Sequence, residues 1–285
     1  MRATTIGTFA LAALATACGG GATHEAATEV VAVRRAVLAA DPGASEWTSL
    51  PEFRAPLQLQ DMVEPRLLSA STPEVRVKAM SDGTRVVFRL EWPDATKNDL
   101  PGTGRFSDAC AVQLPATTQP DVPAPQMGEP GRSVEITYWR AFWQAMIDGR
   151  PDTINAIYPA ASVDHYPFDA PSLAKGSPEQ QAMALRYAPA RELGNDMAGP
   201  REKPVEDLVA DGPSTLHPAE KTRSDGRGVR AEDGWTVVLS RPLPSGLAPG
   251  ARTEVAFAVW DGEHQEAGAR KMRTGWVPLL VEASR

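Results

Sequence analysis

Two stretches of alternating residues meet at an Asp-Gly pair, and this hairpin constrains the fold more than any other feature of the chain. Residues 75–80 (Val-Arg-Val-Lys-Ala-Met) and 85–92 (Arg-Val-Val-Phe-Arg-Leu-Glu-Trp) flank Ser81-Asp82-Gly83-Thr84. A period of two puts the apolar side chains of each strand on one face, and Asp-Gly tolerates the positive backbone angles of a tight hairpin turn. Such a face must be covered by a second layer.

Other segments fit the same scheme. Residues 53–60 alternate through Phe53, Ala55, Leu57 and Leu59, residues 108–114 and 134–138 read as strands, and residues 234–240, 253–260 and 276–283 read as three closing strands. Residues 29–38 fit either a helical face or a strand, and their β-branched content favours a first strand. Residues 115–132 carry four prolines after Thr118 and cannot form regular structure. Residues 145–230 hold fewer strand signals, with short helices expected at 178–187 and 204–210. Strands early, an irregular middle and strands late predict a mainly β chain: a β-sandwich with an irregular, partly helical insertion.

The N-terminus reads differently. Residues 1–17 combine Arg2 with an apolar run at 6–15 and small residues leading to Cys18, which is the pattern of an export signal. The run is shorter than the roughly 20 residues of a membrane-spanning helix. Leu14-Ala15-Thr16-Ala17-Cys18 resembles a bacterial lipobox with its aliphatic residue one place early; the alternative is an ordinary signal peptide cut near Ala17. The expected organisation is therefore a signal peptide (1–17), a lipid-attachment site at Cys18 with a Gly19-Gly20-Gly21 tether and a first strand (18–40), and one β domain (41–285). Gly19 stands where an aspartate often marks inner-membrane retention. The expected location is thus the periplasmic side of the envelope, anchored by lipid in the outer membrane rather than the inner.

Without residues 1–17, whose one charged side chain is Arg2, the net charge moves from −7 to −8, which argues against nucleic acid as a partner. With Cys18 given to the lipid, Cys110 has no cysteine to pair with. No Cys-x-x-Cys-His, Walker loop, Gly-x-Ser-x-Gly or His-Glu-x-x-His occurs, so covalent haem attachment and the common catalytic motifs fall away. His24, His165, His217 and His264 share no metal-ligand spacing.

A collinear set of segments resembles the haem-binding subunit family of ethylbenzene dehydrogenase and dimethylsulfide dehydrogenase. It runs from residues 75–92 with Pro93-Asp94-Ala95-Thr96, through 106–115, Gln126-Met127-Gly128-Glu129, 134–141 with Trp139-Arg140, and Leu193-Gly194-Asn195. It continues in 205–212, 234–238 and 255–262, and ends at Arg270-Lys271 and Trp276, spanning about residues 45–282. The resemblance implies a β-sandwich holding one haem b, an electron-transfer role beside molybdopterin and iron–sulfur subunits, no catalysis within this chain, and Met127 and Lys271 as axial ligands. A lipid anchor and the basic run Arg270-Lys271-Met272-Arg273 depart from the expected pattern.

The residues bear on that implication independently. Met127 lies off any periodic apolar face, after Pro123-Ala124-Pro125-Gln126 and before Gly128, which would let backbone approach a planar group. A thioether favours ferrous iron. Lys271, one of six lysines, must be neutral to coordinate, and moving a pKa of about 10.4 to pH 7 costs roughly 4.6 kcal/mol. His264, in the same loop as Lys271, is the alternative ligand. Trp139, Trp260 and Phe106 read as core or pocket aromatics, Asp108 and Asp261 as loop-orienting or exposed strand-end residues, and Cys110 as a buried thiol. The rival reading is a lipid-anchored β-sandwich that binds carbohydrate or protein through exposed tryptophans.

Overall fold

The structure, a computed structural model, describes residues 27–151, 153–161, 174, 176–187, 190, 193 and 201–283. The strands are β1 (Val30–Arg34), β2 (Phe53–Pro56), β3 (Gln58–Leu59), β4 (Glu74–Ser81), β5 (Arg85–Pro93), β6 (Ala109–Pro115) and β7 (Val134–Arg140). Helices α1 (Ala141–Ile147), α2 (Ile154–Ile157) and α3 (Pro178–Tyr187) follow. The chain then returns to β8 (Val205–Ala210), β9 (His217–Pro218), β10 (Asp225–Arg230), β11 (Gly234–Pro242), β12 (Arg252–Trp260), β13 (Met272–Arg273) and β14 (Val277–Val281).

Hydrogen bonding runs along one path, β10-β11-β5-β4-β1-β14-β12-β6-β7-β8-β9. The path folds back on itself because β12 changes partner midway. Its first half, Arg252 to Val255, pairs with β14, and its second half, Ala256 to Trp260, pairs with β6. Two layers result, and the core lies between them. Phe88 of β5 meets Phe257 of β12 edge-on at 6.1 Å, and Trp139 of β7 meets Trp235 of β11 at 5.1 Å and Trp92 of β5 at 6.4 Å. Cys110 is buried in the same core, which raises its thiol pKa and keeps it protonated.

The expected mainly β fold is present. The hairpin of β4 and β5 pairs Ser81 with Val86 across its turn, where Gly83 takes φ 87. Helix α3 covers residues 178–187 as the sequence predicts, and the helical insertion sits between β7 and β8. Residues 204–210 are a correction: from Val205 to Ala210 they form β8, not a helix. Proline followed by Val-Glu-Asp is a helix-start pattern. Asp207 instead accepts from Arg223 N, Ser224 N and Thr137 Oγ1, and these bonds hold the segment extended on β7. Strand β10 was not expected either, because Gly226 and Gly228 weaken its signal. Gly228 is needed there: a Cβ would stand 2.2 Å from the Trp139 ring.

Candidate functional site

The outer face of the second layer is apolar too, and loops cover it. Along β6 and β12, Cys110, Val112, Phe257 and Val259 point into the core, while Ala109, Ala111 and Ala258 face outward. Small side chains leave room above the sheet. Ile136 and Tyr138 of β7 and Leu208 of β8 flank that room, and Trp260 borders it. The resulting cavity of ≈330 Å³ is roofed by Gln60 and Val63, by Pro125 to Met127, by Pro213, Ser214 and Leu216, and by Gly268, Ala269 and Lys271. Its size and apolar floor suit a small-molecule or cofactor site.

Met127 and Lys271 both line this cavity. Met127 arrives on the proline-rich loop between β6 and β7. Prolines offer carbonyls but no N–H groups, and the sheet holds the loop by those carbonyls: Gln113 Nε2 donates to Pro125 O at 3.0 Å and Trp276 Nε1 to Pro123 O at 2.6 Å. Met127 adopts φ 68, a left-handed conformation costly for a residue with a Cβ. Its carbonyl accepts from Gly212 N at 2.8 Å. Gly128 serves a different purpose from the one its sequence context suggests. A Cβ there would lie 2.9 Å from Arg132 O and 3.0 Å from Ala210 O, so the glycine lets the loop close against the end of β8.

Lys271 enters just before β13. Met272, its neighbour, is buried in the core between the layers, so alternation turns Lys271 and Arg273 to the opposite face, onto the cavity. The Lys271 carbonyl accepts from Gln60 N at 3.0 Å, which fixes the backbone. Its Nζ stands 5.2 Å from the Trp260 ring centre, and no carboxylate pairs with it among the described residues. Burial, with a smaller contribution from Arg273, pulls its pKa down to about 8. At pH 7 roughly 1.4 kcal/mol then suffices to free the amine of its proton, far less than for a solvated lysine.

The loop leading to Lys271 is braced by carboxylates. Asp108 Oδ1 accepts from Gly262 N at 3.0 Å, and its Oδ2 accepts from Asn98 N at 2.8 Å and Trp235 Nε1 at 2.9 Å. Asp94, Asp108 and Asp261 bring their carboxylates within 4.8 Å of one another. Burial, reinforced by the charge of Asp94, lifts the Asp108 carboxyl to about 7 although three donors pull it the other way. Glu266 accepts from Asp261 N at 3.0 Å, and Trp260 Nε1 donates to Gly268 O at 3.1 Å. Asp108 and Asp261 are thus buried loop anchors, not exposed strand ends.

His264 is exposed and bonded through Nδ1 to Asp261 Oδ2 at 2.8 Å, away from the cavity lining. Trp139 belongs to the core, Trp260 to the cavity, and Phe106 to neither, lying beneath the Arg270 guanidinium. Sequence reasoning missed Gln113, Tyr138 and Arg273 at the site. One signal was available: alanines alternate with larger apolar residues in β6 and β12, and a strand apolar on both faces must be covered on both. Cys18, His24 and His165 lie outside the described residues.

The profile of the ethylbenzene dehydrogenase family matches residues 44–272. The chain belongs to that family. Two proteins similar to this ethylbenzene dehydrogenase family member are named for reductase subunits. A respiratory nitrate reductase heme subunit of Haloferax mediterranei is 26% identical over 251 residues, covering 84% of this chain and 69% of that protein. The chlorate reductase subunit gamma of Ideonella dechloratans is 29% identical over 244 residues, covering 83% and 77%. Among solved structures, a family 9 carbohydrate-binding module from Caldicellulosiruptor kristjanssonii aligns with 90% of this chain and 94% of its own, at 8% identity and a TM-score of 0.42. A likeness that low carries no functional argument.

Proposed function

We propose that this chain is the haem b-binding, electron-transfer subunit of an oxidoreductase, with Met127 and Lys271 as the axial ligands. The observation that carries the reading is the convergence of a thioether and an amine of lowered proton affinity on one apolar cavity, from segments far apart in the sequence. That donor set fits haem iron. Haem held there would supply a one-electron couple, and Met127 and Lys271 together would hold its iron and leave no place on it for substrate. The chain's own part is to present the Met127 sulfur and the Lys271 nitrogen and to keep water out with Ile136, Tyr138 and Trp260. The subunit names of the two relatives support a reductase as partner, and a molybdopterin and iron–sulfur enzyme is the partner we propose.

The rival reading, a binding module with exposed tryptophans, lacks its platform. Trp47, Trp92, Trp139, Trp143, Trp235 and Trp260 are buried, and Trp276 is half-buried against the cavity cluster. The test is spectroscopic. Purified protein should hold one acid-acetone-extractable haem per chain with split α and β bands on reduction, and Met127→Ala should lower the reduction potential by removing the ligand that favours ferrous iron. A folded protein that stays colourless under haem-replete expression would overturn the proposal.

We also propose export and lipidation at Cys18, with the domain tethered to the outer membrane on its periplasmic side. The support is the signal-like residues 1–17 and the glycines after Cys18. Wild type should fractionate with membranes and Cys18→Ala should not. Mass spectrometry that finds an unmodified mature N-terminus upstream of Cys18 refutes this assignment.

A further inference from the structure

Arg273, in β13, is a second cation lining the cavity beside Lys271, and its bonding is incomplete. Strand alternation places it beside Lys271, with Met272 between them turned into the core. Opposite it on β12 stands Ala258, which cannot bond it. Its Nε is buried with no hydrogen-bond partner, and the contact its guanidinium does make, from Nη1 to Thr274 O, is long at 3.4 Å. The acidic residue on the cavity rim, Glu64, is engaged by Arg66 at 2.8 Å. The other polar side chains at that end are also satisfied: Gln60 bonds Val63 O, Ala269 O and the Met62 and Val63 amides, and Thr274 Oγ1 accepts from Phe257 N. The cavity therefore carries two cationic side chains with no carboxylate partner among the described residues, one of them with a buried donor still free. A buried guanidinium nitrogen left without an acceptor is costly unless a ligand supplies one.

We propose that Arg273 anchors a carboxylate of the bound ligand, which on the haem reading above is a porphyrin propionate. An arginine fork matches a carboxylate in plane and charge, and the resulting bonds are stronger than neutral ones. Lys271 and Arg273 stand two residues apart on one strand face, about 6–7 Å along the strand. The first then meets the centre of a planar ligand and the second its acidic edge. Such a contact sets the rotation of the ligand within the cavity, which axial bonds alone leave free. Arg273 is thus a binding and positioning residue distinct from the iron ligands.

The test titrates the apo-protein with haemin and, separately, with haemin dimethyl ester, whose propionates are uncharged. Wild type should bind haemin roughly ten- to a hundredfold more tightly than the ester. Arg273→Gln should lose that preference by weakening haemin binding while leaving ester binding unchanged. Equal weakening of both, or no weakening of either, overturns the propionate contact. Should Arg273→Gln fail to fold, Arg273→Lys keeps the strand's charge without the fork: a loss confined to haemin supports the proposal, and a loss shared by the ester overturns it. Failure of the wild type to bind either compound would instead refute the haem reading itself.

Discussion

Replacing Lys271 with alanine should convert a low-spin haem protein into a high-spin one that takes up carbon monoxide or added imidazole. On the proposed ligation the change would remove one of the two axial donors and open that face of the cavity, and no histidine among the described residues lines it to take that place. His264 is exposed and held by Asp261, so His264→Ala should leave the spectrum as it is. The pH dependence has a definite sign. A coordinating amine must be neutral, and burial already holds Lys271 at about 8 before any metal competes for it. Low-spin character should therefore persist at neutral pH and give way on acidification, as protons displace the metal. In the haem-free protein the folded lysine releases its proton near 8 and the unfolded one near 10.5. The unfolded chain binds more protons in that window, so stability should climb with pH by roughly 3 kcal/mol across it, and Lys271→Ala should flatten the slope. An unchanged low-spin spectrum in Lys271→Ala, together with its loss in His264→Ala, would move the ligand to His264.

Asp108→Ala should be the most damaging single change to the fold near the site. It leaves the amides of Asn98 and Gly262 and the Trp235 indole without their acceptor, Gly262 and Trp235 at buried positions and Asn98 at a half-buried one. At about 1–3 kcal/mol for each orphaned group, less the relief of removing a buried carboxylate, a net loss of about 3 kcal/mol is expected in urea unfolding. Its pH dependence follows from the raised carboxyl. The folded protein holds that proton up to about 7 and the unfolded chain only to 3.8, so the contribution of Asp108 is largest in acid and is lost as pH rises through 7. The gap between wild type and variant should accordingly narrow from pH 5 to pH 8. Hydrogen exchange should rise first in residues 261–271, the segment that Asp108 ties down through Gly262. A variant within 1 kcal/mol of wild type at pH 5 would show that these bonds contribute little.

Strand identity was legible wherever one face is apolar and the turn chemistry is local. The β4–β5 hairpin, β7, β11 and β12 follow directly from alternation, because a period of two is a property of the chain and needs no partner to be seen. The segments misread were those whose conformation rests on distant contacts. Strand β8 has helix-like composition and is held extended by Asp207 bonding across to residues 222–224. Strand β10 is glycine-rich because Trp139 presses on Gly228 and Val205 on Gly226, facts absent from its own sequence.

The cavity divides in the same way. Its ingredients stand in the sequence: alanines on one face of β6 and β12, a methionine after prolines, and a lysine and an arginine flanking a core methionine. Local periodicity determines that Lys271 and Arg273 share a face, since adjacent strand residues point to opposite sides. That Met127 faces the same space is decided only by the tertiary structure, through Gln113 and Trp276 gripping the carbonyls of a loop that has no regular structure of its own. The lowered proton affinity of Lys271 and the unpaired donor of Arg273 are likewise tertiary facts, because both arise from burial, and burial depends on which layers and loops come together rather than on any stretch of residues.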